Sequence, residues 1–404
     1  MHTARRTHGF TESVIRGMTR LANEHDAINL AQGFPNFACP DVLKEAAARA
    51  VRDDINQYAI TWGAKRLRNA LAKKYADWYG MSVDPETELT VTCGATEAMA
   101  SALLGVVDPG DEVVVFEPFY ENYGPDAILC DAKPVFVPIA ADEPLDLERL
   151  RAACSKRTRA IIVCTPNNPT GRVFSAAELE GIADCCRRYD CYAVTDEIYE
   201  HIYYEGRHIP IATLDGMRDR TITVSGYSKT FSITGWRIGT IVAPPQATDA
   251  IRKVHDFLTV GAPAPLQEAV AVGIETLGRD YYESLAHDYR ARRDLLCGAL
   301  IDAGFRCTPP AGAYYVLADF RGLSDLPDDE FARRLTIDHG VATVPGSSFY
   351  SRAELGRHLI RFAFCKTTEM LEEAAKRLRA VKDGKGRTKT DKVEGHKHHA
   401  GRKS

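Results

Sequence analysis

Short apolar runs alternate through the middle of the chain with stretches in which apolar residues recur every third or fourth position. The runs Leu89–Thr92, Glu112–Phe116, Ala160–Cys164, Tyr192–Thr195, Thr221–Val224 and Ile238–Val242 predict strands. The 3.6-residue spacing predicts helices over Ala64–Tyr79, Ala95–Val107, Ala176–Tyr189 and Gln267–Leu277. Strands joined by crossover helices make a mainly parallel sheet, hence an α/β fold. Turn chemistry at Pro109-Gly110-Asp111 and Pro166-Asn167-Asn168-Pro169 marks loops beside strands, and ligands of such sheets gather at the strands' carboxyl ends.

After a helical stretch at Tyr281–Ala303 a second alternation begins. Tyr314–Ala318, Gly340–Thr343 and Leu359–Phe364 predict a smaller sheet, with helices at Asp328–His339 and Glu369–Val381. The expected division is a large domain over 41–290 and a small α/β C-terminal domain over 291–384. Residues 1–40, with weak periodicity, are expected to form an arm that contributes to the small domain and crosses between the two.

Composition narrows the class of protein. The chain has 404 residues, enough for two domains, with 45% apolar and 26% charged residues, as in ordinary globular proteins. No run is long and apolar enough to cross a bilayer, and Met1–Arg6 lacks a secretory apolar core, so a cytoplasmic protein is expected. Eleven scattered cysteines read as buried thiols; Cys185 and Cys186 are adjacent, without metal-type spacing, and no metal is expected. A net charge of −4 predicts no general affinity for nucleic acid. Residues 385–404 differ: seven Lys/Arg, two acids and His396, His398 and His399, with almost nothing apolar, predict a basic tail without packing.

The most informative segment is Ser225-Gly-Tyr-Ser-Lys229-Thr-Phe-Ser-Ile-Thr-Gly-Trp-Arg237. A lysine among small and hydroxyl residues after an apolar strand, near another cation, loses proton affinity and becomes a nucleophile for a carbonyl. Arg237 with Ser225 and Ser228 would hold a phosphate through charge-assisted hydrogen bonds. An isolated lysine with a salt-bridging arginine would explain single letters of this segment, but not its whole order. The stretch resembles the Schiff-base segment of class I aminotransferases, fold-type I enzymes that use pyridoxal 5'-phosphate (PLP).

The resemblance implies a seven-stranded large domain and roles for further residues. The turn Gly94-Ala95-Thr96 would cradle phosphate on helix-start N–H groups, although a capped helix explains the same letters. Tyr120, after Pro118, would stack on the cofactor ring, with Phe119 and Tyr123 read as alternatives belonging to the core. Asn168, in Pro166-Asn-Asn-Pro-Thr-Gly171, and Tyr199 would bind the phenolic oxygen. Asp196 would keep the pyridine nitrogen protonated, making the ring an electron sink. Arg361 would clamp the substrate α-carboxylate, unless an internal acid is its partner. Gly33, in Asn29-Leu-Ala-Gln-Gly-Phe-Pro35, would face substrate, with Asn168 contributing there too. Tyr58 would reach the phosphate of a neighbouring subunit in a homodimer with shared sites.

One departure from the best-known aspartate enzymes stands out: Gly226 occupies the position of their phosphate-binding serine, leaving Ser225 or Ser228 for that task. Arg16 and Arg252 lie outside any motif for a second substrate carboxylate, and the Gln-Gly-Phe-Pro element resembles the methionine, aromatic and kynurenine branch. The expected activity is transfer of an amino group from a neutral, sulfur-containing or aromatic L-amino acid to a 2-oxo acid such as 2-oxoglutarate. A C–S β-lyase, an oxidase and an aspartate aminotransferase are the alternatives on the same scaffold.

Overall fold

A computed structural model of the chain describes residues 2–382. The basic tail 385–404 lies outside the described residues. The large sheet runs, from edge to edge, Leu89–Thr92, Gly239–Val242, Thr221–Gly226, Tyr192–Asp196, Thr158–Cys164, Glu112–Glu117 and Lys133–Pro138. Neighbours are parallel except at Gly239–Val242, which is antiparallel to the strands on both sides. Its register pairs Gly239 with Gly226 on one side and with Thr92 on the other.

The central strands are buried along almost their whole length, with Arg159 exposed and Tyr192 half-buried near their starts, as Val/Ile runs covered by helices on both faces require. Helix Ala176–Tyr189 opens on a capping box between Ser175 and Glu178, and its range is that expected from spacing. The edge strand Lys133–Pro138 was not predicted. Two prolines and four half-buried residues give it neither an apolar run nor a clean alternation, and proline is tolerated there because an edge strand need not donate on both sides.

The second sheet contains Val344–Pro345, Leu359–Ala363 and Tyr315–Asp319, all antiparallel. The strand expected at Gly340–Thr343 departs from expectation: Val341–Ala342 pairs parallel with Ile28–Asn29, outside that sheet. The segment before residue 40 carries a further helix, Val14–Glu24, which buries Ile15, Met18, Leu21 and Ala22. A 24-residue helix, Arg279–Asp302, runs through position 290. Among the described residues no helix is long and apolar enough to cross a membrane, and no cluster of side chains could hold a metal ion. All eleven cysteines are free thiols.

Candidate functional site

The carboxyl ends of the central strands bring together a set of charged side chains whose expected partners are missing. Lys229 follows the strand Thr221–Gly226, and its Nζ donates only to the Gly33 carbonyl, at 3.1 Å. Burial, with the Arg237 and Arg361 charges adding to it, brings its amine down to about 8. At that value an appreciable fraction is neutral and nucleophilic near pH 7.

Asp196 ends the next strand and is buried, accepting from the Tyr123 hydroxyl at 2.7 Å and from the Ile198 N–H at 3.2 Å. Burial pushes its carboxyl up, while those two hydrogen bonds draw it back down. It forms no ion pair with any described residue, so a cation set against it would favour its charged form. Tyr123, which the sequence left between site and core, is therefore the residue that holds this carboxylate. Tyr120 packs edge-on against Tyr123, with ring centroids 5.8 Å apart. Tyr199 donates to the Tyr315 hydroxyl at 3.1 Å.

A cationic cradle forms at the start of helix Ala95–Val106. Gly94 precedes it with φ +82°, a conformation that a side chain disfavours, and a Cβ there would lie 2.2 Å from Arg237 Nη2. Arg237 therefore lies against the helix's free N–H groups, with Thr96 exposed in the first turn. Arg237 bonds only the Thr234 carbonyl, at 3.0 Å, and meets no acid among the described residues. Such a cradle fits a phosphate.

The two serines separate. The Ser225 hydroxyl donates inward to Glu200 Oε1 at 2.8 Å, and Glu200 is held by Lys74 and Tyr79. Ser225 thus belongs to a buried network, whereas Ser228 is buried one position before Lys229 and its hydroxyl has no hydrogen-bond partner among the described residues. The glycine between them has a steric cause: a Cβ on Gly226 would sit 2.8 Å from the Ile238 carbonyl and 3.1 Å from Gly239 Cα, where the two strands pair.

Arg361, from Leu359–Ala363, is fully buried. Nη1 donates to Asn168 Oδ1 at 2.8 Å and Nη2 to the Ala31 carbonyl at 2.6 Å. Its Nε is buried with no partner, and the guanidinium lies 4.3 Å from the Tyr315 ring centroid and 4.9 Å from that of Phe349. No internal acid neutralises it among the described residues, so the competing account of this arginine finds no support. Gly33 makes room for a neighbour within the chain: a Cβ there would lie 1.8 Å from the Tyr315 hydroxyl. Tyr58 is not brought to this constellation and is 85% exposed.

The sequence reading missed Tyr314, Tyr315 and Lys366. Tyr314 donates to the Gly33 carbonyl at 3.0 Å, and Lys366 reaches the carbonyls of Gln32 and Phe34. The paired tyrosines stood in the sequence only as an apolar strand start, and Lys366 only as a residue after one.

The geometry has counterparts among known proteins. The family model for class I and II aminotransferases matches residues 25–378. The solved N-succinyldiaminopimelate aminotransferase from Mycobacterium tuberculosis is 40% identical with a TM-score of 0.91, over 94% of this chain and 100% of that one. The methionine aminotransferase of Escherichia coli is 37% identical, over 91% of this chain and 96% of its own length. Human kynurenine–oxoglutarate transaminase 1 is 35% identical, over 94% and 98%.

Proposed function

The chain belongs to the class I and II aminotransferases, PLP-dependent enzymes that move amino groups between amino acids and 2-oxo acids, and from that premise we propose how its own residues divide the work. One observation carries the assignment. Lys229, Arg237 and Arg361 lack carboxylate partners among the described residues, and Asp196, buried among them, lacks a cation. This is the complement of an anionic ring compound with a basic nitrogen.

When bound, PLP supplies a reactive aldehyde and, with its nitrogen protonated, an electron sink. Arg237, Ser228 and the N–H groups of Gly94, Ala95 and Thr96 hold the phosphate; Ser225 serves through its bond to Glu200. Asp196, oriented by Tyr123, keeps the proton on the ring nitrogen. Asn168 and Tyr199 face the phenolic oxygen, and Tyr120 covers the ring. Arg361 turns from the Ala31 carbonyl to grip the substrate carboxylate, which orients the Cα–H bond over Lys229. The Lys229 amine would take that proton from Cα and deliver it to the carbon that carried the PLP aldehyde, two atoms along. Residues 41–290 then act as the cofactor half and residues 291–384 as the substrate clamp.

Donors with neutral, sulfur-containing or aromatic side chains are the proposed substrates, because the rings of Tyr315 and Phe349 lie against the Arg361 guanidinium and no motif supplies a second arginine for a side-chain carboxylate. The likeness to the Mycobacterium enzyme supports a second reading, an N-succinylated diamino acid. Glutamate formed from 2-oxoglutarate with methionine, phenylalanine, kynurenine, aspartate and N-succinyldiaminopimelate ranks these donors. Pyruvate release from cysteine conjugates with no glutamate from any donor would instead establish a lyase. In Arg361→Ala the apparent KM for the donor should rise about 100-fold, the worth of a bidentate charged pair, with a smaller change in kcat. Loss of folding without a KM effect would make the arginine internal glue.

The proposed homodimer rests on an exposed apolar surface. Phe257 is 92% exposed, and Leu258, Val260, Ile60 and Tyr58 are exposed with it. The two segments are neighbours, since His255 Nε2 bonds the Thr61 carbonyl at 2.8 Å. A second copy covering this face would bring its Tyr58 within reach of the phosphate cradle. Phe257→Asp should shift the sedimenting mass from dimer to monomer and remove activity together; an active monomer would refute shared sites. The unbridged thiols support a reducing, cytoplasmic location.

A further inference from the structure

Four successive backbone carbonyls, from Ala31 to Phe34, each accept from a cationic side chain. Arg361 Nη2 takes Ala31 O at 2.6 Å, and Lys229 Nζ takes Gly33 O at 3.1 Å. Lys366 Nζ bridges the other two, at 3.2 Å from Gln32 O and 2.8 Å from Phe34 O, and stands 4.1 Å from the Phe34 ring centroid. None of the three cations forms an ion pair with a carboxylate of the described residues. A row of carbonyl dipoles therefore stands in for anions along one strap of backbone.

The three cations have different prospects. On the proposed function, on which this inference rests, Lys229 and Arg361 turn to cofactor and substrate and release Gly33 O and Ala31 O. Lys366 has no such destination: it is buried past the end of Leu359–Ala363, with its ammonium enclosed between two carbonyls and a ring. A buried ammonium without those carbonyls would be left unpaired, so the strap and the lysine hold each other. We propose that Lys366 is a positioning residue, the one cation that keeps residues 31–34 in place once ligands have drawn Lys229 and Arg361 away.

Backbone hydrogen exchange at residues 30–36 tests this, without ligands and with PLP plus saturating 2-oxoglutarate, in the wild type, Lys366→Met and Lys366→Arg. In the PLP-free proteins Lys229 and Arg361 still hold the strap, so Lys366→Met should exchange within about threefold of wild type. Loaded with PLP and saturating 2-oxoglutarate, it should exchange about tenfold faster, the worth of one hydrogen bond to a charged group, with Lys366→Arg close to wild type. The donor KM should rise about tenfold in Lys366→Met while kcat stays within about threefold. Equal acceleration in both states, unchanged exchange, or a fall in kcat at constant KM would overturn the proposal. Should Lys366→Met not fold, the wild type alone decides: exchange at 30–36 that stays slow on loading supports the clamp, and a tenfold rise on loading removes it. Failure of the wild type to make glutamate would overturn the aminotransferase reading and leave the exchange result standing.

Discussion

Lys229→Ala is expected to lower turnover by about 10⁴-fold or more, the upper end of what one positioned acid–base group contributes, because the same amine is also the attachment point. The protein should remain folded, since the lysine's single hydrogen bond is to Gly33 O and Tyr314 also donates to that carbonyl. Two measurements separate this from a structural defect. Borohydride with PLP should label the wild type at position 229 and leave the variant unlabelled there. In the PLP-free wild type, the rate of labelling should rise about tenfold per pH unit and level off near pH 8, where the amine loses its proton. A lysine of ordinary basicity would still be gaining rate at pH 10. Such a profile, or a variant retaining a hundredth of the wild-type turnover, would remove Lys229 from the centre of the chemistry.

Asp196→Asn should cost about 10³-fold in kcat, the size of a lost, preorganised charge contact. The amide is isosteric: its oxygen can still accept from the Ile198 N–H and its NH2 can donate to the Tyr123 hydroxyl oxygen, so the local structure should hold. What disappears is the negative charge that retains a proton on the facing nitrogen. The variant should therefore bind PLP, visible as its near-ultraviolet and visible band, while turnover collapses. Unchanged kcat would show that this carboxylate serves only Tyr123 and the strand end. Tyr123→Phe should lose far less, since it removes the orienting hydroxyl and keeps the charge.

How far this arrangement is legible in the letters depends on the distance over which each residue finds its partner. Lys229, Asp196, Asn168 and Arg361 stand in local motifs whose order carries their chemistry, and their neighbours in sequence suffice to single them out. Tyr315 and Lys366 are defined by partners some 280 to 330 positions away in the strap 31–34, and no local pattern announces such contacts. The same contrast holds for the fold. Buried strands such as Thr158–Cys164 declare themselves as continuous apolar runs, whereas Val341–Ala342 takes its meaning from Ile28–Asn29. Helix Val14–Glu24 was within reach, because Ile15, Met18, Leu21 and Ala22 follow helical spacing; the surrounding arm masked it. Helix Pro245–Thr259 was harder: Phe257 and Leu258 break its apolar stripe, and their exposure belongs to the face proposed for a second copy.

The lone reversed strand has a consequence for how this scaffold tolerates change. Pairing of Gly226 with Gly239, and of Gly239 with Thr92, pins both ends of the segment carrying Lys229 and Arg237 and seats the arginine against Gly94. Adding or deleting one residue between them would turn the returning strand's side chains to the opposite faces, or lift Arg237 off the helix start. Length variation among relatives should accordingly be absent from this hairpin, and a designer transplanting the reactive lysine would have to carry both strands and the Gly94 turn as one cassette.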